Sequence, residues 1–346
     1  MEAKMLSPRS ETILKSIVGQ YIVKATPVPS QSIINDFELA VSSATIRNEM
    51  MRLEQEGYIT RPHPSAGSIP LDKGYRYYVE SLSDIELPLA ERLLVSHLFH
   101  QVERDLEDWL SLAATLTAQL VQNVAVVTLP KPEQCRFRHL ELVALKESLA
   151  LVVLVLHGAT LRQQLITFDQ AISQDELTAI ANKLNTAYSG KTRAKISAKK
   201  LRLTPAEQQV VDCLLKIMQD EDEQEYEHFN LDGLHFTLNQ PEFRWGEGQI
   251  LMELVDGRSL MRTITPRELA TSQVQVIIGK ENRAENIQKC SVVINKYGLP
   301  QEAAGIISVV GPTRMPYART ISAVHYISSV LSQLVAELYG RKPEEN

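Results

Sequence analysis

Arg47, Asn48, Arg52 and Gln55 are residues whose types and spacing point to one chemistry. On a helix turning about 100° per residue they share a side with Ala44 and Met51, opposite a stripe of Ile46, Met50 and Leu53. Arginine offers a bidentate fork to guanine, and asparagine or glutamine does the same for adenine, so this face suits the major groove of DNA. A merely solvated helix face has a similar composition, so the surrounding elements must decide. Other chemistries lack their residues. The eight histidines are scattered and no Cys-x-x-Cys pair occurs. Gly279-Lys280-Glu281-Asn282 and Gly311-Pro312-Thr313-Arg314 lack the glycine pattern of phosphate loops. Arg314 and Tyr317, at the start of a helix, read better as a cap or salt bridge than as a pocket. No catalytic role, cofactor or metal is expected.

The elements around that helix fit the DNA reading. Ser7-Pro8 caps a first helix on which Ile13, Leu14, Ile17, Val18, Tyr21 and Ile22 recur. Pro27 and Pro29 end it, and Ser30 opens a short second helix with Ile33, Ile34 and Phe37 inward. A brief connection anchored by Val41 leads to the third helix, 43–55. Residues 58–61 and 68–70 then form a hairpin around Pro62-His63-Pro64-Ser65-Ala66-Gly67, placed as the wing of a winged helix-turn-helix. The candidate DNA contacts are Ser43, Thr45, Arg47, Asn48 and Arg52 on the helix, Arg61, His63 and Ser65 in the wing, and Lys73 behind it. Bulk charge gives this no help. The net charge is −6, and through residue 85 nine bases face ten acids, so non-specific DNA affinity should be weak.

Two motifs carry a resemblance. The first comprises Val41 to Met50, Leu53-Glu54, Gly57-Tyr58, Pro62-His63, Ser65-Ala66-Gly67 and Asp72-Lys73-Gly74-Tyr75-Arg76. The second comprises Cys290-Ser291-Val292-Val293, Gly305-Ile306-Ile307 and Gly311-Pro312-Thr313-Arg314-Met315 with Tyr317-Ala318. Together they resemble the HrcA family of heat-inducible transcription repressors. Ser68 stands where that family usually carries a wing arginine, Pro64 where it has threonine, and Pro29 where it has glycine. The chain is therefore expected to lack one wing cation.

Beyond the wing, 88–122 reads as helical, with Leu89, Leu93, Leu98, Val102, Leu106, Ala113, Leu116 and Leu120 along one side. Strands are expected at 124–129, 140–145, 149–156 and 161–168, and helices at 175–188 and 205–218. An acidic stretch, 220–227, reads as a helix end or linker. Strands return at 274–279, 290–296 and 305–310 before a last helix from Tyr317 to about Leu338. The three cysteines, Cys135, Cys213 and Cys290, suit a reducing cytoplasm rather than a disulfide framework. The N-terminus lacks the apolar core of a signal peptide, and no membrane partner is expected.

The fold class expected is α+β and multidomain. By resemblance it comprises a winged helix-turn-helix (1–86), a discontinuous GAF-like domain (87–169 and 241–346) and an inserted α+β dimerisation domain (170–240). The resemblance implies a homodimer that binds an inverted-repeat operator in double-stranded DNA, the CIRCE element, and represses groE and dnaK operons. It also implies dependence on the GroEL chaperonin. The alternative is a metabolite-responsive winged-helix regulator with a GAF-like effector domain.

Overall fold

Ser7 starts the first helix, α1 (Pro8–Lys24), its hydroxyl accepting the Ser10 N–H at 3.1 Å, with Pro8 opening the first turn. The structure is a computed structural model that describes residues 6–36, 43–63, 66–83, 85–102, 105–132, 134–157, 161–223, 228–243, 257–265, 273–299 and 303–340. Phe37, Val41 and Ser65, each given a role above, lie outside those residues. α2 (Ser30–Asp36) and α3 (Ser43–Gln55) follow α1. Ile13, Leu14, Ile17 and Val18 of α1, Ile33 of α2, and Ile46, Met50 and Leu53 of α3 are buried together as the stripes require. β1 (Ile59–Thr60) and β2 (Ile69–Pro70) pair antiparallel, and α4 (Asp72–Glu80) leads on.

The helical run expected over 88–122 is two helices, α5 (Leu89–Gln101) and α6 (Leu106–Val121). Asp105 caps α6 by accepting the Glu107 N–H at 2.8 Å. Leu89 and Leu93 are exposed, not core, because Val95 and Phe99 form the buried side of α5.

The larger compact unit, 1–129 with 228–298 and 305–346, holds a five-stranded sheet. Its strands are β3 (Val124–Thr128), β7 (Phe229–Asp232), β8 (Gln275–Ile278), β9 (Cys290–Leu299) and β10 (Ala303–Pro312), in the order β7-β3-β10-β9-β8. Between β7 and β8 lie the helices α10 (Leu234–Leu238) and α11 (Gly257–Ile264). The last helix, α12 (Tyr317–Leu338), packs along α6. It is long and apolar enough to cross a membrane. Tyr317, Val324, Ile327, Leu331 and Val335, however, are buried in the protein, as in a core helix.

The second unit, 130–227 with 299–304, has a sheet of its own. β4 (Phe137–Lys146), β5 (Leu149–Leu156) and β6 (Leu161–Thr167) run antiparallel in that order. Phe137, Leu140, Leu142, Val152 and Leu154 share one core with Leu177 and Leu184 of α7 (Gln174–Tyr188) and Val210, Leu214 and Met218 of α9 (Pro205–Glu223). A short helix, α8 (Arg193–Ser197), joins the last two.

These units differ from the expected division. An insert spanning 170–240 would leave β4, β5 and β6 in the larger domain; they belong to the smaller unit, which begins at Pro130. The reason is a non-local pairing. β3 and β7 are adjacent strands, with Val127 opposite Asn230, so the whole of 130–227 is excursion between two neighbours of one sheet. Residues 1–86 cluster within the larger unit rather than apart from it. The acidic stretch is in part helical, since α9 continues to Glu223.

Candidate nucleic-acid interface

The outer face of α3 is built by what its inner face does. Ile46 and Leu53 are fully buried, and Glu49 is drawn to α1 by the Ser10 hydroxyl, which donates to its carboxylate at 2.7 Å. With that register fixed, Ser43, Ala44, Arg47, Asn48, Met51, Arg52 and Gln55 are exposed, and Thr45 half-buried. Met51 is 48% exposed among polar neighbours. The structure thus brings five of the nine candidate contacts onto one helix.

The cations of this region are not equivalent. Among the described residues of 43–73, Arg47 is the one cation with neither an ion pair nor a hydrogen bond. Arg52 pairs with Glu56 at 3.2 Å in the open, a bond worth at most about 1 kcal/mol and readily given up. Arg61 turns back from the ribbon to Glu54, its Nε 2.9 Å from the carboxylate. Lys73 donates to the Glu56 carbonyl at 2.8 Å and lies 4.0 Å from the centre of the Tyr58 ring. Arg61 and Lys73 therefore brace the end of α3 against the ribbon. No signal in the sequence separates them from Arg47, because their partners are set by tertiary geometry. His63 is exposed at the ribbon's end, and Ser65 lies outside the described residues.

Ser68 corrects the sequence reading. It is fully buried, and its N–H and carbonyl each bond Val28 at 2.8 Å, making Val28 a third rung beside the ribbon. Its buried hydroxyl has no partner among the described residues. A larger side chain there starts from inside the fold, so the absent arginine is not a simple vacancy on the ribbon's surface. Gly67 is required next to it. A Cβ at 67 would stand 2.4 Å from the Val28 carbonyl carbon and 2.6 Å from that of Pro27, both backbone atoms that cannot move aside.

Elsewhere the chemistry is sparse. His139 and Glu141 stand 3.2 Å apart on β4, both exposed. No group of three metal-ligating side chains occurs among the described residues. In the smaller unit Cys135, Leu156, His157 and Asp222 help to line a small cavity of about 40 Å3, room for a few waters. Burial, with Asp222 nearby, pushes the Cys135 thiol up, away from the thiolate that nucleophilic work needs.

Comparison with known proteins identifies the family. The family model for the HrcA protein C terminal domain matches residues 107–321. A heat-inducible transcription repressor HrcA of Dehalococcoides mccartyi is 54% identical over 340 residues, covering 98% of this chain and 99% of the relative. The heat-inducible transcription repressor HrcA of Roseiflexus castenholzii is 40% identical, covering 97% and 96%. A crystal structure of a hypothetical protein at 2.2 Å resolution shares the fold, with TM-score 0.61 and 23% identity over 96% of this chain and 99% of that one. Relatives across nearly the whole chain are transcription repressors rather than enzymes, and this chain belongs to the HrcA family of heat-inducible transcription repressors.

Proposed function

We propose that α1 to α4 and the β1–β2 ribbon act as a winged helix-turn-helix that reads an inverted-repeat CIRCE operator and represses groE and dnaK chaperone operons. The observation that carries this reading is the exposed face of α3, where Ser43, Arg47, Asn48 and Arg52 stand free of the core. Arg47 and Asn48 supply bidentate contacts to guanine and adenine, Ser43 and Thr45 sit at the helix start, and Arg52 and His63 reach phosphate. Ser65 belongs to the wing tip in the same reading. Arg61 and Lys73 act from behind by holding the ribbon and the end of α3.

An inverted repeat calls for a two-fold protein. The smaller unit is the dimerisation domain in this proposal, and the larger sheet the GAF-like domain. Support for the dimer comes from the sheet face turned away from α7 and α9. There Val143, Leu145, Leu161 and Leu165 are 40–57% exposed, joined by half-buried Leu149, Leu151, Val153 and Val155. Leu151 pairs across to Val143 on one side and Leu165 on the other, an apolar row, and Val155 pairs with Leu161, while Glu141, Gln163 and His139 border them on the same face. A contiguous patch of this kind marks a protein contact. Two copies closing on it bury the same rows against each other.

Activity depends on the GroEL chaperonin, which maintains active repressor until heat-damaged clients occupy it. A loss of about 1.4 kcal/mol shifts a folding equilibrium tenfold, so a marginal fold suffices as the thermal sensor. Footprinting on chaperone promoters, with and without GroEL, tests the proposal. Protection of both half-sites, strengthened by GroEL, is expected. No protection, or protection that needs a small metabolite instead, would favour the effector-responsive alternative.

A further inference from the structure

The two motifs at opposite ends of the sequence meet in the larger unit, and the DNA reading above does not use that meeting. On one side stand α1 and α4, which flank α3. On the other stand the turn after β8, the segment 313–317 and the start of α12. Asp72, in the first turn of α4, accepts the Lys280 N–H at 2.9 Å. It sits so close to Gly279 that a Cβ there would fall 2.3 Å from its carboxylate, and Gly279 has φ +52°. One turn on, Arg76 donates to Glu281 at 2.8 Å and to the Val276 carbonyl at 2.6 Å. Glu281 is held in turn by the Ile278 N–H at 2.8 Å. At the far end of α1, Arg314 donates to the Ile22 carbonyl at 3.1 Å and pairs with Glu242, its side chain only 15% exposed. Between these polar ends Tyr75 rests on Tyr317, ring centres 5.9 Å apart, both buried. The Tyr317 hydroxyl is 2.6 Å from the Thr313 carbonyl, to which it donates, and 2.7 Å from the Ser291 hydroxyl.

Bonds at both ends of a helical unit, with an aromatic contact between, resist its displacement from the segment it rests on. We propose that this seam sets the pose of α3, making Asp72, Arg76 and Arg314 positioning residues for operator binding although none faces DNA. The inference rests on α3 reading the operator as one half of a dimer. Two reading helices must then enter major grooves about 34 Å apart, or a multiple of that, and a pivot at either seam spoils the span.

The test is affinity of the full chain for operators whose half-site spacing is varied base pair by base pair, with a single half-site as control. Wild type should show a sharp optimum. Arg76→Glu, which sets two carboxylates face to face, should lose roughly tenfold at the optimum and flatten the profile, because a fixed span raises effective concentration and a loose one does not. Half-site binding should stay unchanged, and Arg76→Glu with Glu281→Arg should restore most of the loss. Should Arg76→Glu fail to fold, Glu281→Gln, which leaves Arg76 its bond to Val276, should give the same flattening at a loss of about threefold. An unchanged spacing profile in a folded variant overturns the inference, as does equal loss on the half-site or a gain in affinity. A wild type that ignores operator sequence would instead refute the DNA reading beneath it.

Discussion

Replacing Lys73 with alanine separates a brace from a DNA contact. The ammonium donates to the Glu56 carbonyl, just past the last turn of α3, and lies over Tyr58, which is itself 5% exposed. A cation at a helix C-terminus contributes about 0.3–1 kcal/mol and one over an aromatic ring about 0.5–1 kcal/mol where exposed. Losing both costs about 1–2 kcal/mol, which lowers the melting transition of a unit this size by roughly 2–8 °C. The assay pairs thermal melting with operator titrations at several salt concentrations. Lys73→Ala should lower Tm while leaving the slope of log affinity against log salt unchanged. An unaltered Tm with a slope reduced by about 0.9, the signature of one lost phosphate contact, would show that Lys73 serves DNA and refute the assignment.

Three further outcomes follow from other parts of the molecule. Gly67→Ala forces a Cβ against the backbone of Pro27 and Val28; it should destabilise by about 1–3 kcal/mol, read from denaturant melts, and weaken operator binding through the displaced ribbon. Leu151→Asp puts a charge at the centre of the open sheet face and should convert the dimer to monomer in sedimentation, with the smaller unit still folded; an intact dimer moves the interface elsewhere. Glu207 is nearly buried, which works against its charge, but the Lys183 ammonium at 2.7 Å and the Thr204 N–H at 2.8 Å outweigh this and hold its carboxyl below the usual value. A carboxyl so depressed stabilises the fold above its unfolded pKa and loses that as pH falls through the folded one. Glu207→Gln should therefore be less stable at neutral pH, with the gap to wild type closing below the ordinary glutamate pKa of about 4.3.

The parts legible in the sequence are those governed by local rules. Ser7-Pro8, the stripe Ile46-Met50-Leu53 and the paired runs around Gly67 each announce a cap, an inner face or a turn within a few residues, and each stands where expected. Long-range pairing is what escapes. Nothing near Val127 says that its neighbour is Asn230, and β7 (Phe-Asn-Leu-Asp) is too polar and short to register as a strand. A leucine stripe tells which residues share a side, not whether anything covers it, hence the exposure of Leu89 and Leu93. The same limit applies to the site. Composition marks Arg47, Arg61 and Lys73 alike, and only Glu54, Glu56 and Tyr58 in their folded places separate the free cation from the two that are engaged.

The central claim is that the outer face of α3 reads base sequence, and competition binding of Arg47→Ala and Asn48→Ala to operator and random DNA tests it most directly. Both side chains are exposed and neither packs into the core, so each variant should melt as wild type does. Each should lose about 1–3 kcal/mol on the operator, and much less on random DNA, because a bidentate base contact discriminates while a phosphate contact does not. Equal losses on both DNAs, or none on either, would contradict the account.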